Sequence, residues 1–377
     1  MSADRLKAAV IGTGFVGPFH VDAVRRGGYG EVVAVVGSDP DRTRRKADAL
    51  GVARAHTDLA EVLEDPEIEL VHICTPDATH VEFARRALEA GKHVVVEKPL
   101  ALTSADARSL VQLAAECGRH AAVAFTYRGY PMVRRARQAI ADGEAGSVRL
   151  IHGGYLQDWL ANETDYNWRL EPAKGGSRAV ADIGSHWFDT AEYVTGSHIT
   201  AVFADFATFL EHRQRPTAPT AAFEGPSGST ESVAVESEDA ATILLRFDGD
   251  ARGAVVISQV SPGRKNALTL EVAGSRASVA WAQEEPERLW LGTRDDQRTL
   301  VRGAAPQSTG VPSLPAGHPE GWAEALRDML RDFYAAVASG KPPDQAPAYP
   351  SLAAGARAVA IVEAVVESAR SETWVAV

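Results

Sequence analysis

The sequence predicts an α/β chain of two domains. A doubly wound parallel sheet comes first, followed by an α+β domain with a large, mostly antiparallel open sheet. Three observations predict this. Short, continuously apolar, β-branched runs alternate with helical segments through the first third, as buried parallel strands do. After Phe125 the strand-like runs follow one another, some joined by tight turns such as Asp248-Gly249-Asp250, the pattern of antiparallel pairing. The length, 377 residues, suits two domains at roughly 100–200 residues each.

The elements follow in order. Lys7–Ile11 reads as a strand, then a glycine-rich turn leads into a helix reaching Arg26. Val32–Val36 is a second strand and Pro40–Leu50 a helix. Leu70–Cys74 is a third apolar run, with Ala78–Ala90 helical behind it. Val94–Val96, Ser104–Cys117 and Ala121–Phe125 complete the alternation as strand, helix and strand. The boundary is placed here, with residues 1–125 as the first domain and 126–377 as the second. In the second, a helix at Met132–Asp142 leads to strands at Val148–Tyr155, Ile199–Phe209, Ala240–Phe247, Gly253–Gln259, Ala267–Val272 and Ala277–Trp281. Arg213–Thr230, rich in Pro, Gly, Ser, Thr and Ala, reads as a surface loop or flap. Helices at Pro319–Ala338 and Leu352–Arg370 close the chain, the last expected to pack back on the first domain.

Composition excludes several classes of function. An apolar fraction of 45% argues against a disordered chain. The net charge of −11 repels phosphate backbones, so nucleic acid is not an expected partner. The run Arg42, Arg44, Arg45, Lys46 reads as a solvated helix face. Cys74 and Cys117 form no metal or disulfide pattern, which fits a reducing, cytoplasmic setting. No apolar run approaches the roughly 20 residues of a membrane helix, so no membrane partner is expected.

Gly12-Thr13-Gly14-Phe15-Val16-Gly17 fits G-x-G-x-x-G between a strand and a helix. The first glycine permits a tight turn, the second lets backbone approach a pyrophosphate, and the third packs helix on strand. The expected ligand is a dinucleotide, its pyrophosphate on the helix N-terminus. Ser38 and Asp39 stand near the end of the second strand. Asp39 gripping the ribose hydroxyls favours NAD, whereas Ser38 with Arg42 accepting a 2′-phosphate favours NADP. NAD is the expected cofactor and NADP the alternative; Asp39 also suits a helix cap.

Two further features suit proton chemistry. Lys98 follows the Val94–Val96 strand at the carboxyl edge of the sheet, where open α/β sheets bind ligands; a surface charge is the alternative. Asp182 and His186, four apart, share one face of a helix, and a histidine titrates near neutrality. A cap and a half-buried histidine are the alternative. No third ligand stands at metal spacing, so no metal is expected.

The chain resembles the Gfo/Idh/MocA oxidoreductases, the glucose–fructose oxidoreductase and inositol dehydrogenase group. The resemblance rests on Gly12–Gly17, Cys74-Thr75-Pro76 with His80, and Gly91-Lys92-His93-Val94-Val95-Val96-Glu97-Lys98-Pro99. It continues through Phe125-Thr126-Tyr127-Arg128 and Asp182-Ile183-Gly184-Ser185-His186, and weakens in the loop Arg213–Thr230. It implies a Rossmann domain and a nicotinamide-dependent dehydrogenase of a sugar or cyclitol ring hydroxyl. Thr75, Pro76, His80, Glu97 and Lys98 would join the cofactor site. His186 would be the base, Lys98 the donor to the reacting oxygen, and Asp182 the orienting carboxylate. Tyr127, Arg128, Tyr155, Gln157, Asp158, Trp168, Arg169 and His318 are the candidate substrate contacts, since aromatic faces and directional donors suit a polyhydroxylated ring. A homodimer or homotetramer is implied by analogy. Redox-neutral sugar modification through transient oxidation and a non-catalytic nucleotide-binding regulator are the rival readings.

Overall fold

Six short strands pair in parallel in the computed structural model: β1 (Leu6–Ile11), β2 (Gly30–Val36), β3 (Arg54–His56), β4 (Leu70–Ile73), β5 (His93–Val96) and β6 (Ala121–Val123). Their order is β3-β2-β1-β4-β5-β6. The order reverses between β1 and β4, the switch point at which doubly wound sheets leave a crevice outside the carboxyl ends of the strands. Helices α1 (Gly17–Gly27), α2 (Pro40–Leu50), α3 (Ala60–Leu63), α4 (His80–Glu89) and α5 (Ser104–Cys117) connect the strands. The structure describes residues 5–170, 177–217, 229–303 and 314–377.

Two units divide the chain: Met1–Tyr130 with Glu320–Val359, and Pro131–Pro319 with Ala360–Val377. The sequence reading, with its single boundary at 125/126, expects only the last helix, Leu352–Arg370, to pack back on the first domain, and not the whole of Glu320–Val359. That segment covers the parallel sheet for a physical reason. Helix α8 (Trp322–Ala338) presents Leu326, Met329, Leu330 and Phe333, all buried with Ala8, Leu70, Val95 and Ala122 of the strands. Helix α9 (Leu352–Ser371) opens with Leu352, Ala356 and Val359 in the other core cluster, beside Val123 and Leu100. Gly355 lies so near Val123 and Leu100 that an added Cβ would stand 2.5 Å from the valine side chain. The Val123 amide also donates to the Pro350 carbonyl at 2.9 Å, extending the sheet edge.

The second unit is built on nine strands: β7 (Val148–Leu156), β8 (Ile199–Ala207), β11 (Ala240–Phe247), β12 (Arg252–Ser258), β13 (Ala267–Gly274), β14 (Ala277–Ala282), β15 (Arg288–Thr293), β16 (Gln297–Val301) and β17 (Val375–Ala376). Their order is β16-β15-β14-β13-β7-β12-β11-β8-β17, antiparallel except for the β7–β12 pair. The period of two is plain in β11, where Ala241, Ile243, Leu245 and Phe247 are buried while Thr242, Leu244 and Arg246 face out. Helices α6 (Pro131–Ala141) and α7 (Ser185–Thr195) lie on the buried face. Trp187 of α7 is fully buried and donates from Nε1 to the Thr269 carbonyl at 2.9 Å.

Part of the stretch expected to be a loop is a hairpin: β9 (His212–Pro216) pairs with β10 (Thr230–Ala234). Arg213 is its anchor. It is fully buried, with one guanidinium nitrogen on the carbonyls of Leu160, Asn162 and Asp165 and the other on Asp239 at 2.8 Å. The rest of that stretch, 218–228, lies outside the described residues. Among the described residues no helix is long and apolar enough to cross a membrane, and no cluster of ligating side chains could hold a metal.

Candidate functional site

The glycine-rich turn joins β1 to α1 beside the switch point. Gly12 takes φ +98°, and a Cβ there would stand 2.4 Å from the Cys74 carbonyl oxygen. Only glycine lets the turn lie against the chain leaving β4. At Gly17 a Cβ would meet the Gly12 carbonyl oxygen at 2.2 Å, so this glycine permits the close packing of helix and turn. Gly14 differs, because nothing lies within 4 Å of its added Cβ. No side chain caps the N-terminus of α1, where Val16 is the cap residue. Open space at Gly14 and an uncapped helix start fit a pyrophosphate. Thr13 is half-buried, and Phe15 is exposed with its ring 5.4 Å from that of Phe19.

At the end of β2, Asp39 caps α2 by accepting from the Arg42 amide at 2.7 Å. The Arg42 guanidinium donates to the Ser38 hydroxyl at 3.0 Å. Asp39, Ser38 and Arg42 are all exposed, so capping leaves the Asp39 carboxylate accessible. Beyond β4, the Thr79 hydroxyl reaches that of Thr75 at 2.6 Å, and Pro76 is exposed. His80 is fully buried and ties this loop to the next: its ring nitrogens lie 2.9 Å from the Thr75 carbonyl and 2.7 Å from the Pro99 carbonyl. Cys74 is buried, and burial with the nearby Glu97 charge pushes its thiol up, as a packing residue requires. Glu97 and Lys98 directly follow β5. Glu97 is buried, its two oxygens divided between His20 Nε2 at 2.9 Å and the Lys98 amide at 3.2 Å. Lys98 is half-buried and joined to Pro99 by a cis peptide. Tyr127, expected to open the second domain, belongs instead to the first unit with Arg128. It is buried with its ring 5.8 Å from that of Tyr130.

In the second unit, Asp182 lies in a π-helical turn, Val180–Gly184, that runs directly into α7. The Asp182 amide bonds the Arg178 carbonyl, so the residue lies within the helix and is not its cap. One carboxylate oxygen accepts from Gln259 Nε2 at 2.8 Å, and the other lies 3.3 Å from Arg169 Nε. His186 stands one turn later, half-buried, its ring 6.4 Å from that of Tyr155. A buried ionic core holds the start of this turn. The Arg178 guanidinium pairs with Asp239, and Glu238 accepts from the Ser177 hydroxyl and the Val180 amide at 2.6 and 3.0 Å.

The remaining candidates separate into groups. Tyr155 and Gln157 both donate to Asn266 Oδ1, at 2.5 and 2.9 Å. Asp158 turns to Lys265 at 2.6 Å and the Gly263 amide at 2.9 Å, which hold its carboxyl below the usual range. Trp168 is in a short 3₁₀ turn with Arg169, and its side chain lies outside what the structure describes. His318 is exposed, and its carbonyl accepts from Arg302 at 2.6 Å. Sequence reasoning missed Gln259, Asn266 and Lys265, which meet β7 and the π turn through strand pairing. It also missed His20, whose only signal was its place three residues after Gly17.

Comparison with known proteins identifies the family and agrees with the fold. The model of an oxidoreductase family with an NAD-binding Rossmann fold matches residues 6–125, and that of the GFO/IDH/MocA C-terminal domain matches 133–280. Levoglucosan dehydrogenase of Pseudarthrobacter phenanthrenivorans is 32% identical over 352 residues, 90% of this chain and 87% of that protein. The scyllo-inositol 2-dehydrogenase (NAD(+)) of Bacillus subtilis is 28% identical over 341 residues, 90% of this chain and 88% of its own. A solved structure of levoglucosan dehydrogenase with NADH and levoglucosan matches with TM-score 0.88 and 30% identity, covering 99% of this chain and 100% of that one. With a G-x-G-x-x-G cradle in a parallel sheet and a mostly antiparallel C-terminal sheet, this chain belongs to the Gfo/Idh/MocA family of NAD-binding oxidoreductases.

Proposed function

We propose that the protein is an NAD-dependent dehydrogenase that oxidises a ring hydroxyl of a sugar or cyclitol, or reduces the corresponding ketone. The observation that carries this reading is the pair Asp182 and His186, one helical turn apart, with the Asp182 carboxylate held by Gln259 and Arg169. Bound NAD supplies the hydride acceptor. His186 takes the hydroxyl proton, for which an imidazole is suited near neutral pH. The Lys98 ammonium donates a hydrogen bond to the reacting oxygen and stabilises negative charge developing there. Asp182, an acceptor in its ionised form, orients His186 and a substrate hydroxyl. Tyr155, Gln157 and Asn266 offer an aromatic edge and an amide pair to the remaining hydroxyls. The relatives that act on levoglucosan and scyllo-inositol make an anhydrosugar or a cyclitol the first substrates to try.

The test follows nicotinamide absorbance with purified protein, NAD and NADP separately, against levoglucosan, glucose, xylose, galactose, myo- and scyllo-inositol. Net reduction with NAD is expected, and Lys98→Ala or His186→Ala should lower kcat by about 10²–10⁴ with NADH still bound. Full activity in either variant would remove that residue from the mechanism.

A further inference from the structure

Behind the loop that carries Lys98 runs a file of buried polar side chains to which the proposed reaction gives no part. Tyr334 Oη lies 2.8 Å from His72 Nε2, His72 Nδ1 lies 2.9 Å from His20 Nδ1, and His20 Nε2 lies 2.9 Å from Glu97 Oε1. His20 and His72 are 0% exposed, Tyr334 2% and Glu97 8%. The four come from α8, β4, α1 and the loop after β5, so the fold assembles the file from widely separated parts of the chain.

The hydrogens in this file can be counted. A neutral imidazole carries one N–H, so two rings meeting Nδ1 to Nδ1 share one hydrogen. Glu97 as a carboxylate accepts only, so His20 Nε2 donates to it. His20 Nδ1 then accepts from His72 Nδ1, and His72 Nε2 accepts from the Tyr334 hydroxyl. Every buried group is satisfied in this direction. The opposite direction requires a protonated Glu97 or a His20 carrying hydrogens on both ring nitrogens, and either way it leaves the Tyr334 hydroxyl hydrogen without an acceptor among the described residues. Burial, with the neighbouring His20, holds the His72 imidazole well below the usual histidine range, which keeps that ring neutral. The Glu69 charge reaches Tyr334 at one end of the file, and at the other the Glu97 charge, with burial, keeps the neighbouring Cys74 thiol up.

We propose that Tyr334, His72 and His20 form a one-directional donor file that locks the Glu97 carboxylate and, through the Lys98 main chain, positions the Lys98 amine. The second Glu97 oxygen accepts from the Lys98 amide, so a carboxylate fixed by His20 also fixes the backbone from which the lysine side chain leaves. The three are positioning residues, and the inference rests on the role assigned to Lys98 above.

The test has three arms. Nitrogen-15 NMR of the histidine-labelled full-length chain reads the tautomers, with signals assigned through His72→Gln and Tyr334→Phe. His72 as the Nδ1–H form and His20 as the Nε2–H form are expected; the reverse pair overturns the file. Competitive acetylation with acetic anhydride, read by mass spectrometry at Lys98 against Lys341, reports the amine without turnover. Its rate should change by about threefold or more in His20→Leu and return in His20→Gln, whose amide donates to Glu97 and accepts from His72. One rate in all three proteins overturns the positioning role. In NAD-dependent turnover, His20→Leu should lower kcat by about tenfold or more while KM for NAD and NADH affinity hold, with recovery in His20→Gln. Unchanged kcat in His20→Leu again overturns it. Absence of turnover in the wild type refutes the dehydrogenase reading and leaves the first two arms to decide the file.

Discussion

Alanine at Gly12 and at Gly14 should have opposite effects, although the two positions are two residues apart in one turn. At Gly12 the backbone sits at φ +98°, and the new Cβ would lie 2.4, 2.6 and 2.9 Å from Cys74 O, Cys74 C and Thr75 N. All three are main-chain atoms, so no side-chain rotation relieves the clash. A left-handed conformation costs a non-glycine residue about 1–2 kcal/mol. Overpacking adds about 1–3 kcal/mol. Together these make about 2–5 kcal/mol, a large part of a typical stability of about 5–15 kcal/mol. At about 2–4 °C per kcal/mol for a domain of this size, the melting temperature should fall by about 4–20 °C. At Gly14 the added methyl meets no atom within 4 Å, so the melting temperature should hold. The methyl would stand instead where backbone must approach the pyrophosphate. NADH affinity, read by fluorescence titration, should drop about tenfold or more, or about 1.4 kcal/mol. Wild-type NADH affinity in Gly14→Ala would refute this placement of the pyrophosphate. Wild-type melting in Gly12→Ala would refute the steric argument.

Three more expectations follow from the same geometry. Gln259→Leu removes the donor to Asp182 Oδ2 and should lower kcat by about tenfold or more at unchanged NADH affinity; equal kcat would show that Arg169 alone orients the carboxylate. Asp239→Asn deprives two fully buried guanidinium groups, Arg178 and Arg213, of their shared anion, and calorimetry should show a loss of about 3–5 kcal/mol. Burial, then the charges of His120 and Arg119, pushes His93 down to about 4. Between that value and about 6.5 the unfolded chain binds a proton that the folded chain does not, so stability falls as pH drops through this window. Denaturant midpoints at stepped pH should flatten there in His93→Gln, and an unaltered slope would assign the effect elsewhere.

Legibility in the sequence followed the range of the interactions. Ser104–Cys117 and Pro40–Leu50 were read to the residue because their caps, Thr103 and Asp39 before and glycines after, are local. β3 escaped notice because Arg54–His56 is three residues long with two basic side chains and no buried residue. The β9–β10 hairpin was hidden by its composition. Its strands carry Arg213, Arg215 and Glu231, and the arginine that anchors it is held by carbonyls far from it in sequence.

The candidate site divides along the same line. The glycine turn, the Glu97-Lys98-Pro99 step and the Asp182/His186 spacing were visible because each lies within one turn of chain. The Gln259 bond to Asp182, the Asn266 acceptor shared by Tyr155 and Gln157, and the file from Tyr334 to Glu97 join residues 52 to 262 positions apart. Local propensity and periodicity thus specified a Rossmann domain and its cofactor turn, and the family resemblance added Lys98, Asp182 and His186 as catalytic candidates. Which partners hold those candidates, and that residues 320–359 belong with the first unit, followed from packing. An apolar helix face or a buried donor finds its complement by spatial proximity, which strand pairing and core burial create and sequence spacing does not record.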